Sequence, residues 1–166
     1  MNWNAVIAFG ELMGATGVIA SLFYLASQVK QNTRSVRRVA YQELLDHIAQ
    51  LNILVTTHAD LADIFVRIRA GLGEVDEIEQ MRALSWFGTV CRHYQNAFHQ
   101  YNDQLITERQ WMDMSDGIGR LLANQGGRDM WDRVKPGFQR DFQEMIEIRA
   151  QQGPHSAASQ APRQSS

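Results

Sequence analysis

From Leu12 to Val29 (LMGATGVIASLFYLASQV) the chain runs for 18 residues without a charged side chain. As a helix, such a run measures roughly 27 Å at about 1.5 Å per residue, close to the thickness of a bilayer's hydrocarbon core. Behind it the pattern changes to apolar residues spaced by threes and fours, and this persists to Ile148. No Pro occurs before Pro136 and no stretch sustains alternation with period two, so helices are expected throughout.

The helical spacing places Tyr41, Leu44, Leu45, Ile48, Leu51 and Val55 on one face of a helix continuing from the apolar run, with a break near Thr56–His58. A short helix, ADLADIFVRIRA, should stop at Gly71 and Gly73. The acidic run Glu74, Asp76, Glu77 and Glu79 suits the start of a third helix, over about residues 76–104, because negative charge complements an N-terminal dipole. Its seam is Met81, Leu84, Phe87, Cys91, Tyr94, Phe98, Tyr101 and Leu105, and a second stripe of Ala83, Trp86, Val90 and Ala97 widens the apolar surface. A helix apolar over so much of its girth must be packed on several sides. Thr107 with Gln110 forms a capping-box pattern opening a helix with Trp111, Met114, Ile118, Leu121 and Leu122. A turn or short helix around Trp131 and Val134 ends at Pro136–Gly137, and Phe138, Phe142, Met145, Ile146 and Ile148 belong to a last helix ending near Ala150.

Charge divides the chain further. Residues 1–29 carry only Glu11, whereas Lys30, Arg34, Arg37 and Arg38 follow with no acid among them. Residues 41–150 then hold 17 acidic side chains against 11 Lys and Arg, a net of −6. A basic collar between an apolar run and an acidic domain suits a membrane surface and speaks against a nucleic-acid partner. A buried core helix would not be expected to switch so abruptly to basic residues, and a cleavable signal peptide would want positive charge in residues 1–10, which have none. The expected fold is therefore all-α: a transmembrane helix over 1–30 running into a cytoplasmic helical bundle over 31–150, with a disordered tail over 151–166. Because the basic residues follow the span, the N-terminus should lie outside and the C-terminal domain in the cytoplasm. A carboxylate at the bilayer centre is costly, which sets Glu11 near the outer interface.

Two sets of residues in this region are candidates for contact. Lys30, Arg34, Arg37 and Arg38 recur at helical spacing and form one stripe that can reach lipid headgroups. Gly10, Gly14, Gly17 and Ser21 also share a face, and small residues there would let another transmembrane helix, from a second copy or a foreign chain, approach closely. The runs Gly10–Glu11, Tyr24–Leu25–Ala26 and Gln31–Asn32–Thr33, with the later Asn96–Ala97–Phe98, Tyr101 and Gly126–Gly127–Arg128 leading to Trp131, resemble a widespread group of short, uncharacterised bacterial single-pass membrane proteins. The resemblance covers most of residues 8–150. It implies a bacterial inner-membrane location and a topology, and brings no activity with it.

Motifs for chemistry are sparse. The pairs Glu43/His47 and His99/Asp103 are each four apart, but the Glu-x-x-His spacing of carboxylate-bridged metal bundles is absent, and neither a metal nor a cofactor is expected. Cys91 lies on the apolar seam and reads as a small buried hydrophobe, and no nucleophile-elbow, phosphate-loop or dinucleotide pattern occurs, so no catalytic residue is named. His93 reads as a hydrogen-bonded core histidine. It neighbours Gln95, Asn96, His99 and Gln100, which could line a polar groove for a ligand or partner. The expected role is a non-enzymatic, membrane-anchored accessory subunit of a membrane assembly. The alternatives are a small-ligand sensor or enzyme using the polar part of residues 93–103, and a self-assembling homo-oligomer.

Overall fold

Helix α1 runs from Trp3 to Thr57, 55 residues without an interruption. The computed structural model describes residues 3–152, with the side chains of residues 13–151 except that of residue 15; the tail after Gln152, the surroundings of Gly10 and the side chain of Glu11 lie outside that range. The remaining helices are α2 (Ala59–Ile68), α3 (Glu77–Asn102), α4 (Glu108–Leu121), α5 (Gln125–Val134) and α6 (Arg140–Gln152), with single 3-10 turns at Leu72–Glu74 and Lys135–Gly137. No strand occurs among the described residues.

The chain divides into two units, Met1–Val39 and Ala40–Ser166. In the first, the described large apolar side chains are all exposed, from Met13, Val18 and Ile19 through Phe23 at 74% and Val29 to Val39. Among the described residues no helix is long and apolar enough to cross a membrane.

In the second unit, α3 is the central element and packs against α2, α4 and α5, while α4 packs against α6. Its two stripes explain this: Phe87, Cys91 and Tyr94 from one and Ala83, Val90 and Ala97 from the other are all buried. Leu44 from the last part of α1, Ile64 and Ile68 from α2, Ile118 from α4, and Phe142 and Ile146 from α6 complete the most deeply buried set. Three positions depart from the spacing argument. Met81, Leu45 and Ile148 share the helical repeat of their buried neighbours yet are 62%, 39% and 54% exposed. Met81 lies in the second turn of α3 and Ile148 in the last two turns of α6, toward the ends where packing partners run out, and Leu45 lies one position off the buried Leu44.

Local chemistry marks the boundaries. Asp76 and Glu79 form a reciprocal capping box at the start of α3, and Thr107 with Gln110 does the same for α4. Gly71 ends the α2 region at φ 157°, a conformation that suits glycine, and its neighbour Leu72 donates its N–H to Asp129 of α5 at 3.0 Å.

Candidate functional site

The five polar residues of α3 do not converge. His93 is buried; Gln95, His99 and Gln100 are half-buried; Asn96 is exposed. At 100° per residue His93, Asn96 and Gln100 fall on one side of the helix, whereas Gln95 and His99 fall together on another. The Nε2 of His93 and the Oε1 of Gln100 are buried without a hydrogen-bond partner. The His93 ring meets His47 of α1 edge-on, with centroids 5.7 Å apart. Burial holds the His93 imidazole below its ordinary pKa, His47 adds to that, and a backbone hydrogen bond with Leu44 opposes both. His93 is a neutral core histidine at neutral pH.

In the first unit Lys30, Arg34, Arg37 and Arg38 are all exposed on consecutive turns of α1. Gly14 and Gly17 are open: a Cβ built on either would meet nothing within 4 Å among the described residues. The Ser21 hydroxyl donates to the Gly17 carbonyl at 2.8 Å, which satisfies it within the helix.

The second unit contains a cleft that spacing along the chain does not reveal. Two adjoining cavities, of about 350 and about 330 Å³, share Asn52, Trp86, Arg120 and Leu121. The larger adds Phe65, Ile68, Arg69 and Met130; the other adds Ile48, Val90, Tyr94 and Gly117. Trp86 is fixed in place by donating its indole N–H to the Leu51 carbonyl at 3.2 Å and by packing edge-on against Phe65, centroids 4.6 Å apart.

Tyr94 is 7% exposed, and its hydroxyl lies directly over Gly117, where a Cβ would collide with it. The glycine in the middle of α4 is therefore a seat for the phenol. A helix-interior glycine costs about 1 kcal/mol relative to Ala, and the close approach of Tyr94 is what it makes room for. The hydroxyl has no hydrogen-bond partner among the described residues. Burial pushes the phenol up to about 12, against the pull of the nearby Arg120 charge, so it remains a neutral donor.

The electrostatics of the cleft are opposite to those of its domain. Arg69 and Arg120 line it, neither forms an ion pair among the described residues, and no Asp or Glu lines either cavity. Arg67, two residues away, is in contrast fully engaged by Asp63 and Glu79. No spacing along the chain singles this cleft out; Gly117–Ile118–Gly119, followed by Arg120, is too short to read as a phosphate cradle.

Other chemistry is limited. Burial raises the Cys91 thiol to about 12, so the thiolate needed for nucleophilic attack is scarce at neutral pH. No group of three or more His, Cys, Asp or Glu side chains suited to a metal ion occurs among the described residues. No protein-family model matches the chain, and no curated protein or solved structure does either.

Proposed function

We propose that the chain is a membrane-anchored accessory protein: the N-terminal part of α1 lies in a bilayer and the second unit is a helical docking domain on the cytoplasmic side of a bacterial inner membrane. One observation carries this reading. Met13, Val18, Ile19, Leu22, Phe23, Tyr24, Leu25 and Val29 are all between 54% and 74% exposed. At 100° per residue they surround the helix rather than line one side of it. A helix apolar all round needs an apolar environment on every side, and a bilayer supplies it. Residues 13–29 alone fall short of the roughly 20 residues a span requires; residues 5–12 (AVIAFGEL) supply the remainder, with Glu11 toward the outer interface.

The exposed stripe of Lys30, Arg34, Arg37 and Arg38 supports the same orientation, since basic residues flanking a span stay cytoplasmic and reach anionic headgroups. Open glycines at 14 and 17 support lateral contact with another transmembrane helix. The resemblance to short bacterial membrane proteins supports the location. The role proposed is one of anchoring and assembly, and buried Cys91 offers no accessible thiol nucleophile.

The test is extraction and topology in a bacterial host. Carbonate-washed membranes should retain the full chain, and a reporter fused after Ala150 should be active only in the cytoplasm. Recovery of the chain in the soluble fraction overturns the anchor, and a reporter active only in the periplasm overturns the orientation.

A further inference from the structure

We infer that the cleft between Trp86, Tyr94 and Arg120 is a binding site for a small amphiphilic carboxylate, with the apolar body against Trp86 and Phe65 and the carboxylate between the Arg120 guanidinium and the Tyr94 hydroxyl. This goes beyond the anchoring role and does not depend on it, because every lining residue belongs to the unit beginning at Ala40.

Size comes first. Each cavity, at about 350 and about 330 Å³, lies at the lower end of the range that holds small molecules, roughly 300–1,000 Å³. The walls follow the usual composition of such sites, aromatic and aliphatic surface with a few polar groups. Phe65, Trp86, Ile68 and Met130 make an apolar wall on one side, and the polar groups gather where Tyr94 and Arg120 line the neighbouring cavity.

Charge decides the sign of the ligand. The domain carries a net of −6 over residues 41–150, yet the cleft is lined by two arginines, Arg69 and Arg120, and by no Asp or Glu. Tyr94 supplies the second, independent sign: a hydroxyl on a side chain more than nine-tenths buried, lining the cavity, with no partner among the described residues. A guanidinium fork and one hydroxyl match the two oxygens of a carboxylate; a phosphate would call for more donors than converge here.

Isothermal titration calorimetry of the full chain in zwitterionic-lipid nanodiscs, with empty nanodiscs as the blank, tests the inference using 3-phenylpropanoate and its neutral counterpart 3-phenylpropanamide. Saturable binding of the acid with a Kd near or below about 1 mM is expected, with the amide at least about tenfold weaker. Arg120→Gln and Tyr94→Phe should each weaken the acid about five- to tenfold and leave the amide unaffected. Arg109→Gln removes the same charge from an exposed position outside the cleft and should change nothing. Arg120 is exposed and forms no ion pair among the described residues, so its variant should melt as the parent does, and Tyr94→Phe keeps the test open if it does not. The inference is overturned if the acid shows no saturable binding, if the amide binds equally well, or if Arg109→Gln weakens the acid as much as Arg120→Gln.

Discussion

Arg67 of α2 grips Glu79 of α3 with both prongs of its guanidinium, one at 2.9 Å, while the same carboxylate accepts the Asp76 backbone N–H at 3.1 Å and so closes the capping box of α3. One side chain thus serves both the start of the central helix and its junction with α2. The hydrogen bonds from Arg67 are the main reason Glu79 is held below the usual carboxylate range. Glu79→Gln keeps a side chain able to close the box but gives up the ion pair, whereas Glu79→Ala loses both. Thermal melts should therefore rank Glu79→Ala below Glu79→Gln below the parent, with the alanine variant lowered by about 3–6 °C. Equal melting temperatures for the two variants would show that the cap contributes nothing.

Gly126 and Gly127 open α5 in contact with backbone rather than side chains. A Cβ on Gly126 would collide with the Ile68 carbonyl of α2, and one on Gly127 with the Leu121 carbonyl of α4. Backbone cannot rotate aside as a flexible side chain can. Gly126→Ala should consequently destabilise the domain by about 1–3 kcal/mol in urea unfolding, despite the better helix propensity of alanine. Gly73→Ala, where a Cβ meets nothing within 4 Å, should stay within about 0.5 kcal/mol of the parent.

Helix boundaries were legible because caps are local. Thr107 with Gln110 announced α4 by residue type and spacing, and the acids at 76–79 announced α3, since a cap needs only neighbours three positions apart. Burial was legible where a stripe runs through the middle of a helix, as with Phe87, Val90 and Tyr94, and failed at Met81 and Ile148. The polar run 93–100 drew attention through composition alone, but a helix distributes such a run over more than one face, and Gln95 and His99 fall on a different side from the buried His93. The cleft was not legible. It is assembled from residues 48–56, 65–69, 86–94 and 117–124, and no spacing along the chain says that these meet.

His93 should give the domain a stability slope on the acid side of neutrality. Its folded-state pKa lies below the ordinary 6.5, so below that pH the unfolded chain takes up a proton that the folded chain refuses. Stability is thus complete above about pH 6.5 and falls as the pH drops, at up to about 1.4 kcal/mol per pH unit, until the folded-state pKa is reached. Asp60, Glu79 and Asp129, held low chiefly by Arg82, Arg67 and the Leu72 N–H respectively, lose their contributions only at more acidic pH. Urea unfolding between about pH 7 and 5 isolates the histidine. The slope should vanish in His93→Gln, and an unchanged slope would assign it to another group.

The open face of α1 gives the anchoring proposal its most direct test. Among the described residues nothing lies within 4 Å of where a Cβ on Gly14 or Gly17 would sit, so added bulk there meets no obstacle from them. Any effect of bulk on that face must come from a neighbouring helix, from a second copy or a foreign subunit, held away by the new side chain. Gly14→Leu should accordingly weaken crosslinking in membranes by about five- to tenfold while leaving membrane retention intact, because Leu favours the bilayer. Val18→Leu, off the stripe and 61% exposed, adds a methylene at a position already occupied by a large apolar group and should crosslink as the parent does. If Gly14→Leu crosslinks as well as the parent, the stripe carries no contact, and whatever assembly the chain enters must be made by the unit that begins at Ala40.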